Sequence, residues 1–247
     1  MAVYAHDKVV PDKKSKDAKK NQVAEMFNSI AGSYDFLNRF LSAGIDITWR
    51  KKALKELKEI HPKIILDVAT GTADFAIIAN KILKPDKITG IDISDRMLEI
   101  GRQKIQKFHL ENKIELFAGD SETINFPASS FDAITVAFGV RNFENLEKGL
   151  QEMLRVLKPG GKISILECTM PRSFLLKRFF SFYMFTIVPA FGKLFAKNKE
   201  AYQYLNNSVQ AFPNRESFIQ IMNKAGFKQT YYKTLSLGIC CIYCGSK

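Results

Sequence analysis

One stretch limits this chain more than any other. The apolar run Ile64-Ile-Leu-Asp-Val68 stops in a turn of small residues, Ala69-Thr-Gly-Thr-Ala73, and a helical period starts at once, with Phe75, Ile77, Ile78, Ile82 and Leu83 on one broad stripe. Strand, tight turn, helix is how an open parallel sheet begins a nucleotide-type site, because the backbone must approach its ligand closely at the strand's carboxyl end. About twenty residues on, at the interval such sites use, Lys87-Ile-Thr-Gly-Ile-Asp92 forms a second strand ending in an acid that can accept both hydroxyls of a ribose. Only Gly71 survives of the usual three glycines, so the turn alone is a weak signal. The plain alternative is a turn that merely packs, with Asp67 and Asp92 as solvated strand ends.

The alternation continues from there. Strands are predicted at Ile64–Val68, Ile88–Ile93, Ile114–Ala118, Ala133–Phe138 and Lys162–Leu166, with helices at Asp74–Leu83, Arg96–Leu110 and Asn145–Leu157 between them. Lys158-Pro-Gly-Gly161 is expected to be the turn into the fifth strand. A further helix, Glu216–Ala225, is closed by Gly226, and two β-rich runs, Phe227–Leu235 and Gly238–Cys244, form an antiparallel hairpin. The expected fold is α/β, a doubly wound, mostly parallel seven-stranded sheet with an antiparallel edge hairpin. Residues 21–247 make a single domain behind a flexible basic tail, 1–20. Helical patterns over 21–60, from Asn21 and again from about Asp46 to Ile60, are available as a lid over the first strand's carboxyl end. His61, before Pro62, is expected to cap rather than catalyse, and His109 to lie on the surface. Residues 171–213 interrupt the alternation as a helical insertion.

A third strand ends in Gly119-Asp120-Ser121, and carboxyl ends of neighbouring parallel strands converge on one crevice. One acid on a ribose and one near a base's amino group suit an adenosyl compound without phosphates, which also accounts for the missing glycines. Cys168, Cys240, Cys241 and Cys244 are read as reduced thiols, since Cys241 and Cys244 in a strand point to opposite faces; no metal is expected. No apolar core marks the first twenty residues as a signal peptide, and the longest apolar run is too short to span a bilayer, so a cytoplasmic location is expected. A net charge of +12 calls for a polyanionic partner, nucleic acid or an anionic membrane.

Further motifs carry a resemblance: Val23-Ala-Glu-Met-Phe-Asn-Ser-Ile-Ala31, Tyr34-Asp-Phe-Leu-Asn38, Trp49-Arg50, Phe138-Gly-Val-Arg-Asn142, Arg155-Val-Leu-Lys-Pro-Gly-Gly161 and Tyr204-Leu-Asn-Asn-Ser208. From about Gln22 to Lys247 the chain resembles the UbiE/MenG family of C-methyltransferases, within the Rossmann-like class I S-adenosylmethionine-dependent methyltransferases. The resemblance implies S-adenosyl-L-methionine as cofactor, held at Thr70, Gly71, Asp92, Asp120 and Ser121. It implies C-methylation of a prenylated quinol ring, demethylmenaquinol or a ubiquinol precursor. The Thr70-Gly71-Thr72 turn and the short loop after Asp120 favour the menaquinol branch. Asp46, Ala73, Tyr243 and Cys168-Thr169 depart from the family pattern and leave the general base open.

Only a reduced quinol, better its phenolate, is nucleophilic enough to take a methyl from a sulfonium. Arg141 is the candidate for holding the oxyanion and Asp46 the candidate base, each with a structural alternative, a strand-end salt bridge and a helix cap. Tyr34, Asn38 and Asn142 are candidate substrate contacts. From Arg172 to Lys199 six basic residues and eight aromatics occur with no acid. Apolar bulk outweighs charge there, with Phe174, Phe179, Phe182, Phe185, Phe191 and Phe195 beside Met184, Ile187, Val188 and Leu194. That mixture suits peripheral contact with an anionic membrane, or a tunnel for an isoprenoid tail, better than nucleic acid. Ordinary core over the sheet is the bland reading. A homo-oligomer is allowed. Rival functions are a methyltransferase acting on RNA and a non-catalytic membrane-associated protein on the same fold.

Overall fold

The computed structural model describes residues 4–183, 186 and 199–247. Seven strands form one sheet in the order β3-β2-β1-β4-β5-β7-β6. They are β1 (Ile64–Val68), β2 (Lys87–Asp92), β3 (Ile114–Ala118), β4 (Phe131–Ala137), β5 (Leu157–Cys168), β6 (Lys228–Leu235) and β7 (Cys240–Ser246). β1 to β5 pair in parallel, and β7 runs antiparallel to both β5 and β6. Among the described residues the α-helices are α1 (Lys19–Leu41), α2 (Ile45–Lys55), α3 (Asp74–Leu83), α4 (Asp95–Lys107), α5 (Leu146–Val156), α6 (Phe174–Phe182), α7 (Lys199–Ala211) and α8 (Glu216–Ala225).

The period-2 geometry of the strands splits the core in two. Leu66 and Val68 pack with Leu150 and Met153 of α5 and Phe218 of α8. Ile65 packs on the other face with Leu54 of α2, Phe75 of α3 and Leu98 of α4. Cys241 belongs to the first cluster and Cys244 to the second, as their odd spacing requires. Strand reversal falls between β1 and β4, so the carboxyl ends of β1, β2 and β4 border one crevice, the usual place for a ligand in such sheets.

Three expectations change. The helical patterns over 21–60 do not act together as a lid. α1 lies across the strands' carboxyl ends, whereas α2 packs Trp49, Ala53 and Leu54 against the sheet, with Leu57 just beyond its end, and takes a Ser164 hydroxyl on the Ala53 carbonyl at 2.9 Å. The expected mobile tail is docked from Tyr4 onward: His6 is fully buried, edge-on to Phe212 at 5.6 Å, and its carbonyl accepts from Lys19 Nζ at 2.8 Å. Apolar and aromatic contacts outweigh the lysine-rich composition around them. Finally, Lys158–Gly161 is not a plain turn: β5 starts at Leu157, pairs it with Phe131, and shifts register before Ala133 and Lys162, with left-handed Gly160 (φ 77°) absorbing the irregularity. His61 sits left-handed at the end of a short 3-10 helix, and His109 is exposed. The side chain of Phe179, and Met184, Phe185, Ile187, Val188, Phe191, Leu194 and Phe195, lie outside the described residues.

Candidate active site

The turn after β1 is shaped by three left-handed residues, Ala69 (φ 53°), Gly71 (φ 56°) and Ala73 (φ 64°). Two of them carry a Cβ in that region, at about 1–2 kcal/mol each, and such strain gathers where a backbone must be presented in one shape. Ala73 therefore keeps the conformation that glycine would take more easily. Space around Gly71 is open where a side chain would stand, so its backbone can be approached.

Asp92 braces this turn. Its Oδ2 accepts from the Gly71 amide at 2.8 Å and its Oδ1 from the Ser94 amide at 2.9 Å. Burial raises its pKa, and the amide bonds oppose that rise. Asp120, beyond β3, accepts from the Glu122 amide at 2.8 Å and from Lys20 Nζ at 3.1 Å. With Gly71, Ser121, Ile93, Met97 and Phe143 these acids line a crevice of about 660 Å³, open to solvent. Carboxylates from two strand ends beside apolar walls fit a ribose and a flat base. Thr70 departs from its expected place. Its hydroxyl donates to Asp67 Oδ2 at 2.6 Å, beneath the turn, and Thr135 donates to the other oxygen at 2.6 Å. Thr70 thus fixes the turn from below and borders a smaller cavity with Arg50, Asp67 and Asp74.

A second chamber, about 1140 Å³ with its solvent-open mouth included, adjoins the crevice, and Phe27, Tyr34, Phe138 and Asn142 border both. Its wall is mostly apolar: Met26, Ile30, Leu37, Leu41, Trp49, Phe180, Leu205 and Val209. Tyr34 stands at the junction, edge-on to Phe27 at 5.9 Å, with burial raising its phenol pKa and a hydrogen bond to Asn38 opposing. Asn142 donates to the Phe138 carbonyl at 3.3 Å and accepts from the Tyr204 hydroxyl at 3.2 Å.

Arg141 lines the chamber, but as one half of an ion pair. Its Nη1 donates to Glu167 Oε1 at 2.5 Å and to the Phe138 carbonyl at 2.7 Å, and Glu167 is fully buried. Burial disfavours its charge, Glu167 leads the groups that oppose this, and the pKa ends up raised. Arg141 Nε has no partner among the described residues. Asp46 also borders the chamber. Its Oδ2 is held by Arg39 at 2.7 Å, with Arg50 at 3.7 Å, and its Oδ1 accepts from Ser42 at 2.8 Å. Cys168 is in the same wall, its thiol pushed up to about 12 by burial. Among the described residues no cluster of three or more His, Cys, Asp or Glu is placed to hold a metal ion.

The structure thus gathers Tyr34, Asn38, Asp46, Arg141 and Asn142 at the chamber and Gly71, Asp92, Asp120 and Ser121 at the crevice. Sequence reasoning missed Lys20, counted with the tail, and Glu167, whose partnership with Arg141 spans 26 positions. It missed Phe27 and Phe138 as junction residues too; both stood in motifs but looked like core.

Residues 13–247 match the ubiE/COQ5 methyltransferase family. A demethylmenaquinone methyltransferase of Bacteroides fragilis is 46% identical over 245 residues, 99% of each chain. A ubiquinone/menaquinone biosynthesis C-methyltransferase of Geotalea daltonii is 46% identical over 230 residues, 93% of this chain and 97% of the relative. Among solved structures, a SAM-dependent methyltransferase from Thermotoga maritima superposes with a TM-score of 0.62 at 22% identity, covering 90% of this chain and 99% of the other, and so shares the fold.

Proposed function

The chain belongs to the ubiE/COQ5 methyltransferase family, and on that premise we propose that it transfers the methyl group of S-adenosyl-L-methionine to a ring carbon of a prenylated quinol, demethylmenaquinol, in menaquinone biosynthesis. The observation that carries this reading is the junction at Phe27, Tyr34, Phe138 and Asn142, where an acid-lined crevice adjoins a large, mostly apolar chamber. A polar, charged cofactor and a greasy aromatic acceptor need two such neighbouring compartments.

Asp92 would hold the ribose hydroxyls, Asp120 and Ser121 the base, and the Gly71 turn the amino-acid end. When bound, the cofactor supplies an electrophilic methyl on sulfonium. What remains for the protein is to raise the acceptor's electron density and aim it. Ionising a quinol hydroxyl with an ordinary pKa near ~10 costs roughly 4 kcal/mol at neutral pH. Arg141, kept charged by Glu167 and aimed by the Phe138 carbonyl, offsets part of this by stabilising the oxyanion. Tyr34, its phenol kept protonated by burial, orients the ring as a hydrogen-bond donor, with Asn38 and Asn142 beside it. Asp46 is a poor base, because both of its oxygens are engaged; its role is to hold Arg39 and Arg50 at the chamber's edge. Near-in-line alignment of ring carbon and methyl supplies much of the remaining rate.

The insertion delivers a lipid-borne substrate. Phe174, Leu175 and Phe182 of α6 are exposed, with Lys177 and Arg178 on the same helix, while Phe180 faces the chamber. This face rests on an anionic membrane surface, and the isoprenoid tail leaves the chamber beside it. None of the helices among the described residues is long and apolar enough to cross a bilayer; the contact proposed here is a peripheral one. Mass spectrometry of cellular quinones, with and without the gene, tests the assignment. Accumulated demethylmenaquinone in the deletion strain, cleared on complementation, supports it. An unchanged quinone pool contradicts it, and accumulation of a ubiquinone precursor would move the substrate to that branch.

A further inference from the structure

α1 carries four polar side chains within one stripe of its surface, since positions 20, 28, 35 and 39 fall within about 100° on an α-helix. Each is fastened to a different segment around the cofactor crevice. Lys20 donates to Asp120 at 3.1 Å, after β3. Asn28 Oδ1 accepts from the Ser94 hydroxyl at 2.7 Å, after β2. Asp35 Oδ1 accepts from the Thr72 hydroxyl at 2.6 Å, inside the β1 turn. Arg39 donates to Asp74 Oδ2 at 3.2 Å, at the first residue of α3.

The third fastening is the most elaborate. Lys104 of α4 donates to Asp35 Oδ2 at 3.0 Å, to the Thr72 hydroxyl at 3.2 Å and to Asp74 Oδ1. One ammonium group, with all three of its protons engaged, therefore joins the covering helix, the cofactor turn and the start of α3. Meanwhile α1 supplies the outer wall of the crevice through Lys20, Val23, Phe27 and Tyr34. A ligand in the crevice would therefore lie against α1.

We propose that Lys104 is a positioning residue for methyl transfer. The Asp35–Lys104–Asp74 clasp ties the closed position of α1 to the shape of the Ala69–Ala73 turn, so cofactor retention and closure of the helix support each other. The side chains of the clasp are one-fifth to one-third exposed, so salt screens the ionic part of the coupling and loosens closure. The inference rests on the crevice being the cofactor's site, and it assigns to α1 a reciprocal coupling of the kind linkage requires.

The test is calorimetric titration of S-adenosyl-L-methionine into wild type, Lys104→Met, Lys104→Arg, Asp35→Ala and the Lys104→Met/Asp35→Ala double variant, at low and high salt. Hydrogen exchange over α1 is followed with and without cofactor. Lys104→Met is expected to weaken binding roughly tenfold, Lys104→Arg to restore most of it, and the double variant to be no worse than the worse single. Salt should weaken wild type more than Lys104→Met, and cofactor should slow exchange in α1 of wild type but not of that variant. A lowered Tm with unchanged affinity, or strictly additive losses, overturns the proposal. If Lys104→Met does not fold, Asp35→Ala decides alone, because it leaves the Lys104–Asp74 pair in the body; unchanged affinity and exchange there overturn the clasp. Wild-type protein that binds no cofactor overturns the site reading itself, before any variant is compared.

Discussion

Asp92 braces the Gly71 turn and faces the crevice with the same carboxylate. Asp92→Ala should abolish cofactor binding, removing two charge-assisted hydrogen bonds worth about 1.5–3 kcal/mol each and leaving the Gly71 and Ser94 amides without an acceptor. Micromolar binding retained in a titration would sink the assignment. Arg141 needs a gentler substitution. Its removal strands buried Glu167, which costs about 3–5 kcal/mol of stability, so Arg141→Ala confounds folding with turnover. Arg141→Lys keeps a charge, and the expected outcome is unchanged cofactor affinity with turnover reduced by at least roughly tenfold; wild-type turnover would end the oxyanion role. Asp67 gives a pH signature. Burial, opposed by the Thr135 and Thr70 hydroxyls, lifts its carboxyl from 3.8 to about 6. Between those values the folded chain holds a proton that the unfolded chain has released, so this contribution to stability is full below the lower value and lost as pH rises through the upper one. Urea melts of wild type and Asp67→Asn should therefore diverge against wild type from about pH 4 to about pH 6. A constant difference across that range contradicts the shift.

The parallel strands and the helices between them were legible because short continuous apolar runs, as in strands buried on both faces, alternate with longer stretches of 3.6-residue apolar period. What was not legible depended on distant partners. Nothing near His6 announces that Phe212 will cover it, and nothing near Arg141 points to Glu167. Pro159-Gly160-Gly161 has the chemistry of a turn, yet pairing with β4 pulls the segment into β5 through a register shift. The division of labour between α1 and α2 was hidden for a similar reason, since two amphipathic helices do not say which of them meets the sheet. α6 carries its own prediction. Serine in place of Phe174, Leu175 and Phe182 should leave Tm nearly unchanged, because these side chains are exposed, and should weaken flotation with anionic vesicles. Wild-type binding should exceed that to neutral vesicles and persist in part at high salt, as burial of aromatic surface is not screened. Equal flotation of variant and wild type would remove the membrane role from this helix.

For the whole molecule, the candidate site was largely predictable as a set of residues, less so as a set of roles. Strand ends converge by topology, so Asp92 and Asp120 had to share a crevice; which hydroxyl or carboxylate is already engaged depends on packing, as Thr70 and Asp46 show. On the proposed function, two adjoining compartments bring a sulfonium methyl to an electron-rich ring. The direct measurement uses purified protein, isotopically labelled S-adenosyl-L-methionine and a short-tailed demethylated naphthoquinone, once kept reduced and once left oxidised, with products identified by mass spectrometry. The expected result is ring-carbon methylation of the reduced form and none of the oxidised form, because only the quinol is a nucleophile. Equal methylation of both forms, or label found on RNA and absent from the quinol, would contradict it.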